Sequence, residues 1–202
     1  MDVLIVGAGG HAQVVADILL RMKDAGQGVV PIGYLDDDPT LVGEELLSLP
    51  VLGRIDQLDK IPHDAVIIAI GNNQTRKHLF TNLRAGAEQF AIARHPSAVI
   101  APDVHIGSGA MICANVAVNP GSVIGDGVIL NTACTIDHHN QIGDHVHVAP
   151  GAHLGGDVTV GEGTLIGIGA TIMPQRRIGS WCTVGAGTLV HQDLPAGVTA
   201  VG

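Results

Sequence analysis

The stretch "VIAPDVHIGSGAMICANVAVNPGSVIGDGVILNTACTI", residues 99–136, places an aliphatic side chain at every sixth position. Ile100, Ile106, Ile112, Val118, Ile124, Leu130 and Ile136 mark the period. It runs on through Ile142, Val148, Leu154, Val160, Ile166, Ile172, Ile178 and Val184 to Val190, 16 positions without a break. Ile, Val and Leu make up about a quarter of an ordinary chain, so chance does not supply such a run. A period of six fits neither a helix, at about 3.6, nor a simple strand, at about 2. It predicts a solenoid in which each hexapeptide makes one short strand and one turn. Three units close a triangular coil, and residues 100–195 supply about five coils. The aliphatic fills the prism axis. The residue four further on is small or β-branched, as at Val104, Ala110, Val116, Ser122, Val128, Cys134 and Val146, and fits beside it.

Upstream the period changes. "DVLIVG" reads as a buried strand, and "GHAQVVADILLRMKDAG" follows it with apolar residues at helical spacing and a glycine stop. "VVPIGYLDDD", "AVIIAIGNN" and "QFAIARH" read as further strands, with "QTRKHLFTNLRAGA" as a second helix. This alternation predicts a small Rossmann-like parallel sheet flanked by helices over residues 1–95, followed by an all-β helix over 96–202.

Composition narrows the functional classes. Aromatics are 2% of 202 residues, so the core must be built from aliphatics and alanine. A formal charge of −9 disfavours nucleic acid and anionic membrane surfaces, though not small anionic ligands held by backbone amides. Three cysteines give no disulfide framework. The first apolar run, Val3 to Val6, follows Asp2 and lacks the basic start of a signal peptide, so a cytoplasmic protein is expected.

Five of the 11 histidines fall within residues 135–156. The hexad places His138, His139 and His145 at corners, and turns His147 and His153 outward from flat faces; solvent exposure is expected for His145 and His153. His138 and His147 diverge within one prism and can meet only across a junction between two. Metal binding is one reading, but the H-x4-H spacing of zinc-holding γ-class carbonic anhydrases is missing, and no metal is expected. Proton transfer is the stronger reading, because imidazole titrates near neutrality and an adjacent acceptor can orient it. Cys134 and Cys182 take the small inward slot and Cys113 the position after the aliphatic, so none is expected to act as an acyl carrier.

The hexad pattern resembles the left-handed parallel β-helix of the hexapeptide-repeat acyltransferases. "VILNTACTIDHHNQIGDHVHVAPGAHLGGDVTVGEGTLIGIGATI" (128–172), "AIGNNQTRKHL" (69–79) and "VGAGGHAQVVADIL" (6–19) resemble more narrowly the nucleotide-4-amino-sugar N-acetyltransferases of bacillosamine and perosamine type, whose architecture sialic acid O-acetyltransferases share. The resemblance implies a homotrimer with sites between subunits, acetyl-CoA as donor without a metal, and a UDP- or GDP-linked 4-amino sugar of bacterial glycan assembly as acceptor. It implies that His138 is the general base, flanked by Asp137 and by His139 where an acid is usual. Asp137, Asp144 or His139 itself is left to orient the ring. Asn131 is implied near the amino sugar, His147 near the thioester, and Gly156, Ile168 and Ala186 along the pantetheine arm. An amide of Gly155 or Gly156 is a candidate oxyanion donor.

"GAGGHA" (7–12) fits G-x-G-x-x-A between a strand and a helix. About 95 residues is half of a doubly wound dinucleotide domain, and no hydride-transfer residues are present. On the resemblance this part anchors the nucleotide: Gly9, Gly10 and His11 at the phosphates, Asp36 and Asp37 at the nucleoside, Gly71, Asn72, Asn73 and Arg76 bordering the crevice, with Arg76 against the pyrophosphate. Two other readings stand beside amino-sugar N-acetylation: O-acetylation of sialic acid or a similar sugar, and a non-catalytic trimer that senses sugar nucleotides.

Overall fold

The structure is a computed structural model and describes residues 1–202. Strand β1 (Asp2–Val6) is buried from Val3 onward and leads through Gly7–Gly9 into helix α1 (Gly10–Asp24). Val15, Ile18, Leu19 and Met22 bury one face of α1, and Arg21 and Lys23 sit in its last turn, where a positive charge suits the helix dipole. Next come β2 (Val30–Leu35), a two-residue β3 (Glu45–Leu46), β4 (Leu49–Gly53) and β5 (Ala65–Ile68). Helix α2 (Asn73–Ala85) begins where the Asn72 side chain accepts the Thr75 N–H at 2.9 Å, an ordinary N-cap.

The sheet order is β3-β4-β2-β1-β5, parallel except for the β3–β4 edge. The strand expected from "QFAIARH" does not join it. Phe90 makes a single bridge to Val66, and Ala93–Arg94 pairs with Met111–Ile112 of the solenoid instead. Leu49–Gly53 is the further parallel strand, on the opposite side of the sheet beside β2. That run holds Pro50 and is followed only by a short 3-10 turn, Ile55–Lys60, so it carries little strand signal, yet it alternates buried and exposed residues.

Beyond Ala93 the chain winds into a three-faced prism. The first face stacks Ala93–Arg94, Met111–Ile112, Ile129–Leu130, His147–Val148, Leu165–Ile166, Thr183–Val184 and Thr199–Ala200. The second runs from Val99–Ile100 to Leu189–Val190, and the third from His105–Ile106 to Arg177–Ile178. Every pairing is parallel with an offset of 18 residues, as Thr135 with His153 shows, apart from the last, Thr183 with Thr199. All 16 hexad aliphatics are the second residue of a strand. All but Ile100 and Ile106, at the starting end of the stack, are fully buried.

The corners share one conformation. The third residue after each aliphatic, from Gly109 to Gly187, has a left-handed φ. Glycine takes half of these places, and Asn115, Ala133, His139, His145, Asp157, Gln175 and Trp181 take the rest. A non-glycine residue there costs about 1 kcal/mol or more, so bulky corner residues are worth inspecting.

The two units pack against each other. Phe80 of α2 stacks on Phe90 at 4.0 Å and meets the His145 ring edge-on at 5.1 Å. Because α2 covers this corner, His145 is buried rather than solvated as the hexad position suggested.

Candidate active site

His138 and His139 project from the corner joining the second and third faces, and both are exposed. Their Nδ1 atoms lie 3.0 Å apart. Two lone pairs repel at that distance, so one ring carries the proton and donates it to the other. A Cβ on Gly156, one coil further on, would strike the His138 ring, and one on Gly121, one coil back, would strike His139. The missing side chains let each imidazole lie flat against its neighbouring coil.

Below the rings the corner is stapled. Buried Asn140 donates its Nδ2 to the carbonyls of Asp137 at 2.6 Å and Gly155 at 2.9 Å. Buried Ser122 donates to the Asp137 carbonyl at 2.9 Å and accepts the Asn140 N–H at 3.1 Å. The Asp137 carboxylate accepts from Asn119 Nδ2 and from the His138 N–H, both at 2.8 Å. These bonds hold its pKa below the usual carboxylate range, the Asn119 bond most of all. Asp137 therefore shapes the backbone and makes no hydrogen bond to the imidazole. Asp144 accepts the Asp126 N–H at 2.8 Å and is occupied in the same way. Of the three candidate partners, His139 is the one in contact with the His138 ring.

A second cluster lies on the first face, where the front domain meets the prism. The Asn131 side-chain amide donates to His147 Nε2 at 3.1 Å, and the Gly71 backbone meets the same ring. His11, at the start of α1, stands with its ring 6.2 Å from that of His147. Burial, reinforced by the charge of Arg76, lowers both imidazoles to about 4, so both are neutral at pH 7. His147 opens on one side to a cavity of about 480 Å³ lined by Gly71, Asn72, Asn73, Gln74 and Trp181. On the other it opens to a groove of about 580 Å³ that holds Asn131, Pro150, Ile168 and Ala186. Asn131, His147, Ile168 and Ala186 thus line one channel. Gly156 stands apart, at the His138 corner.

Several expected roles change. Arg76 is completely buried and gives every N–H to the protein: Gly127 O at 2.7 Å, His145 O at 2.7 Å, Ile70 O at 2.9 Å, Gly71 O at 3.3 Å and Asn73 Oδ1 at 2.9 Å. No N–H is left for a pyrophosphate; Arg76 clamps the front domain onto the prism. Burial pulls its pKa down to about 9. Asn72 is spent as the α2 cap, and Asn73 donates to the Gly163 carbonyl at 2.9 Å. Asp36 accepts the Ala8 and Asp38 N–H groups at 2.7 and 2.9 Å, and Asp37 accepts the Ile55 N–H at 3.2 Å, so both carboxylates hold loops. Gly9 and Gly10 face open space at the start of α1, which has no side-chain cap. The Gly155 N–H is used by Ile172 O at 2.9 Å, which removes it as an oxyanion donor. All three cysteines are buried, and burial raises the Cys113 thiol to about 12 and Cys134 further still.

The His138 corner and the His147 face lie on opposite sides of the prism, so one chain alone does not bring the two rings together. Sequence reasoning missed Asn140, Ser122, Asn119 and Trp181. Trp181 is the only tryptophan; it sits at a corner with φ +57°, lies over Gly163 and stands 5.4 Å from Lys77 Nζ. A bulky residue three places after a hexad aliphatic was the available signal.

Residues 2–83 match the PglD N-terminal domain family, and residues 157–192 match the bacterial transferase hexapeptide (six repeats) family. The GDP-perosamine N-acetyltransferase of Escherichia coli O157:H7 is 32% identical over 207 residues, 98% of this chain and 92% of the relative. The UDP-N-acetylbacillosamine N-acetyltransferase of Bacillus subtilis (strain 168) is 37% identical over 115 residues, and that match spans 56% of this chain and 51% of the relative. Among solved structures, the acetyltransferase domain of PglB from Neisseria gonorrhoeae FA1090 in complex with acetyl coenzyme A superposes with a TM-score of 0.92 at 36% identity, covering 100% of this chain and 96% of the other. PerB from Caulobacter crescentus, in complex with CoA and GDP-perosamine, gives 0.90 at 36% identity, covering 100% and 94%.

Proposed function

The chain belongs to the nucleotide-sugar N-acetyltransferases that join a PglD-type N-terminal domain to a hexapeptide-repeat β-helix, and from that premise we propose that it acetylates the 4-amino group of a UDP- or GDP-linked sugar with acetyl-CoA in bacterial glycan assembly. The relatives that carry this reading act on, or bind, nucleotide-linked amino sugars by their names.

The observation that supports a base at position 138 is the His138–His139 contact. With the proton on His138 Nδ1 and donated to His139 Nδ1, the His138 Nε2 keeps a lone pair and lies over Gly156. The sugar amine attacks the thioester carbonyl, and Nε2 takes the amine proton as the C–N bond forms. The tetrahedral oxyanion then collapses, the C–S bond breaks, and the CoA thiolate leaves and recovers a proton. The Gly156 N–H donates to no carbonyl of the chain and lies beside the His138 ring, free to meet the oxyanion. His147 is held by Asn131 at Nε2, meets the Gly71 backbone and is neutral, which suits a fixed hydrogen-bonding group beside the donor rather than a base.

We place the working site at a junction between copies in a homotrimer, where the His138 corner of one chain enters the first-face groove of the next. Such an enzyme works in the cytoplasm, where acetyl-CoA and nucleotide sugars are made. The test is product formation with acetyl-CoA and a panel of UDP- and GDP-4-amino sugars. Turnover with a 4-amino sugar and a large loss of kcat in His138→Ala are expected. Transfer only to hydroxyl acceptors, or an unimpaired variant, overturns the reading.

A further inference from the structure

We propose that His138, His139 and Asp157 form a binding site for a divalent transition-metal cation, zinc above all, and that filling it switches acetyl transfer off. The second half rests on the reading of His138 as the base.

The ligand atoms of these three side chains lie within 4.8 Å of one another. Two imidazole nitrogens and one carboxylate oxygen are a donor set that zinc accepts, with bonds of about 2.0–2.1 Å. All three residues are exposed, so the rings can close the remaining distance by small side-chain rotations. Their backbones are fixed. Asp157 lies 18 residues beyond His139 at the same corner, and its N–H donates to the His138 carbonyl at 2.9 Å. His139 and Asp157 share one left-handed conformation, with φ +58° and +59°, so both side chains leave the corner the same way. Asp137 and Asp144 are committed to backbone N–H groups, whereas the Asp157 carboxylate makes no hydrogen bond or ion pair within the chain. A carboxylate at position 139 would leave one imidazole here; the histidine makes two.

The chemistry follows from the tautomers. In the metal-free corner His138 carries its proton on Nδ1 and works through the Nε2 lone pair. Zinc takes the Nδ1 lone pairs of both rings. The His138 proton moves through solvent from Nδ1 to Nε2, with no net proton released and no other bond broken. Nε2 then carries hydrogen and cannot accept the amine proton.

The test titrates ZnCl2 into the chelator-stripped full chain, with heat of binding and chromatographically measured product as parallel readouts. One zinc per chain is expected, with turnover lost in step, restored by EDTA and untouched by MgCl2. Asp157→Asn should keep the metal-free rate and weaken both binding and inhibition at least tenfold. Absence of stoichiometric binding, or equal binding by Asp157→Asn, overturns the site and leaves the base assignment standing, which His138→Gln probes without metal. Binding with no loss of rate overturns the switch, and a full metal-free rate in His138→Gln separately overturns the base assignment.

Discussion

His138 and His139, neighbours in sequence, face each other Nδ1 to Nδ1 at 3.0 Å with their rings inclined at 78°. One imidazole thus stands against the other where the resemblance implied an acid. His139→Ala should lower kcat by about 10- to 100-fold, because an unoriented base loses part of its contribution. KM for acetyl-CoA should change little. His139→Glu should recover most of the loss in steady-state kinetics, and a His139→Ala enzyme with full kcat would remove the orienting role.

Gly156 tests the same ring from the other side. Its φ is not left-handed, so alanine adds no backbone strain, and the three atoms nearest the added Cβ all belong to the imidazole. Gly156→Ala should reduce turnover by about tenfold or more while the melting temperature moves by only a few degrees. Thermal denaturation beside kinetics separates this from a general loss of packing.

Arg76 holds the two units together with no anionic partner. Arg76→Met leaves the carbonyls of Gly127 and His145 without donors in a buried interface and should cost about 3–5 kcal/mol in urea denaturation. Arg76→Lys should not rescue it, since an ammonium cannot reproduce the planar fork.

Buried neutral histidines make stability fall with acid. His11 and His147 titrate near 6.5 when unfolded and at about 4 when folded. Between those values the unfolded chain binds protons that the folded chain refuses. Stability is therefore full above pH 6.5 and falls as pH drops toward 4, by up to about 1.4 kcal/mol per pH unit for each ring. Denaturation series at several pH values should show this slope, and His147→Gln should reduce it.

A site shared between chains predicts complementation. His138→Ala and His147→Ala should each be nearly inactive. Refolded together in equal amounts, they should regain about a quarter of the junctions, because one partner supplies His138 and the other His147. No recovery in mixed trimers, or a monomer by sedimentation, would place the reaction within one chain.

Much of the front domain was legible, and its exception is instructive. α1 and α2 followed their apolar spacing and glycine stops, but "QFAIARH" kept the strand composition while its partner changed. Its last residues find a free edge on the prism, and nothing local to the run says which sheet it will join. Trp181 shows the converse: its corner position was readable from the hexad, but its place beside Lys77 and the cavity was not.

The sixfold recurrence of aliphatics from Ile100 to Val190 determined the solenoid by itself, because only a three-sided coil buries that spacing, and it also assigned each histidine to a corner or a face. Tertiary structure alone decided what those addresses meant. His145 is buried because α2 happens to lie over its corner. Arg76 became a clamp because carbonyls from two units converge on it, and His138 faces His139 because Asn119 and a backbone amide had already drawn Asp137 away. Short-range spacing sets which way a side chain leaves the backbone; the groups that meet it arrive from coils 18 residues away or from another domain, and only the folded chain brings them there.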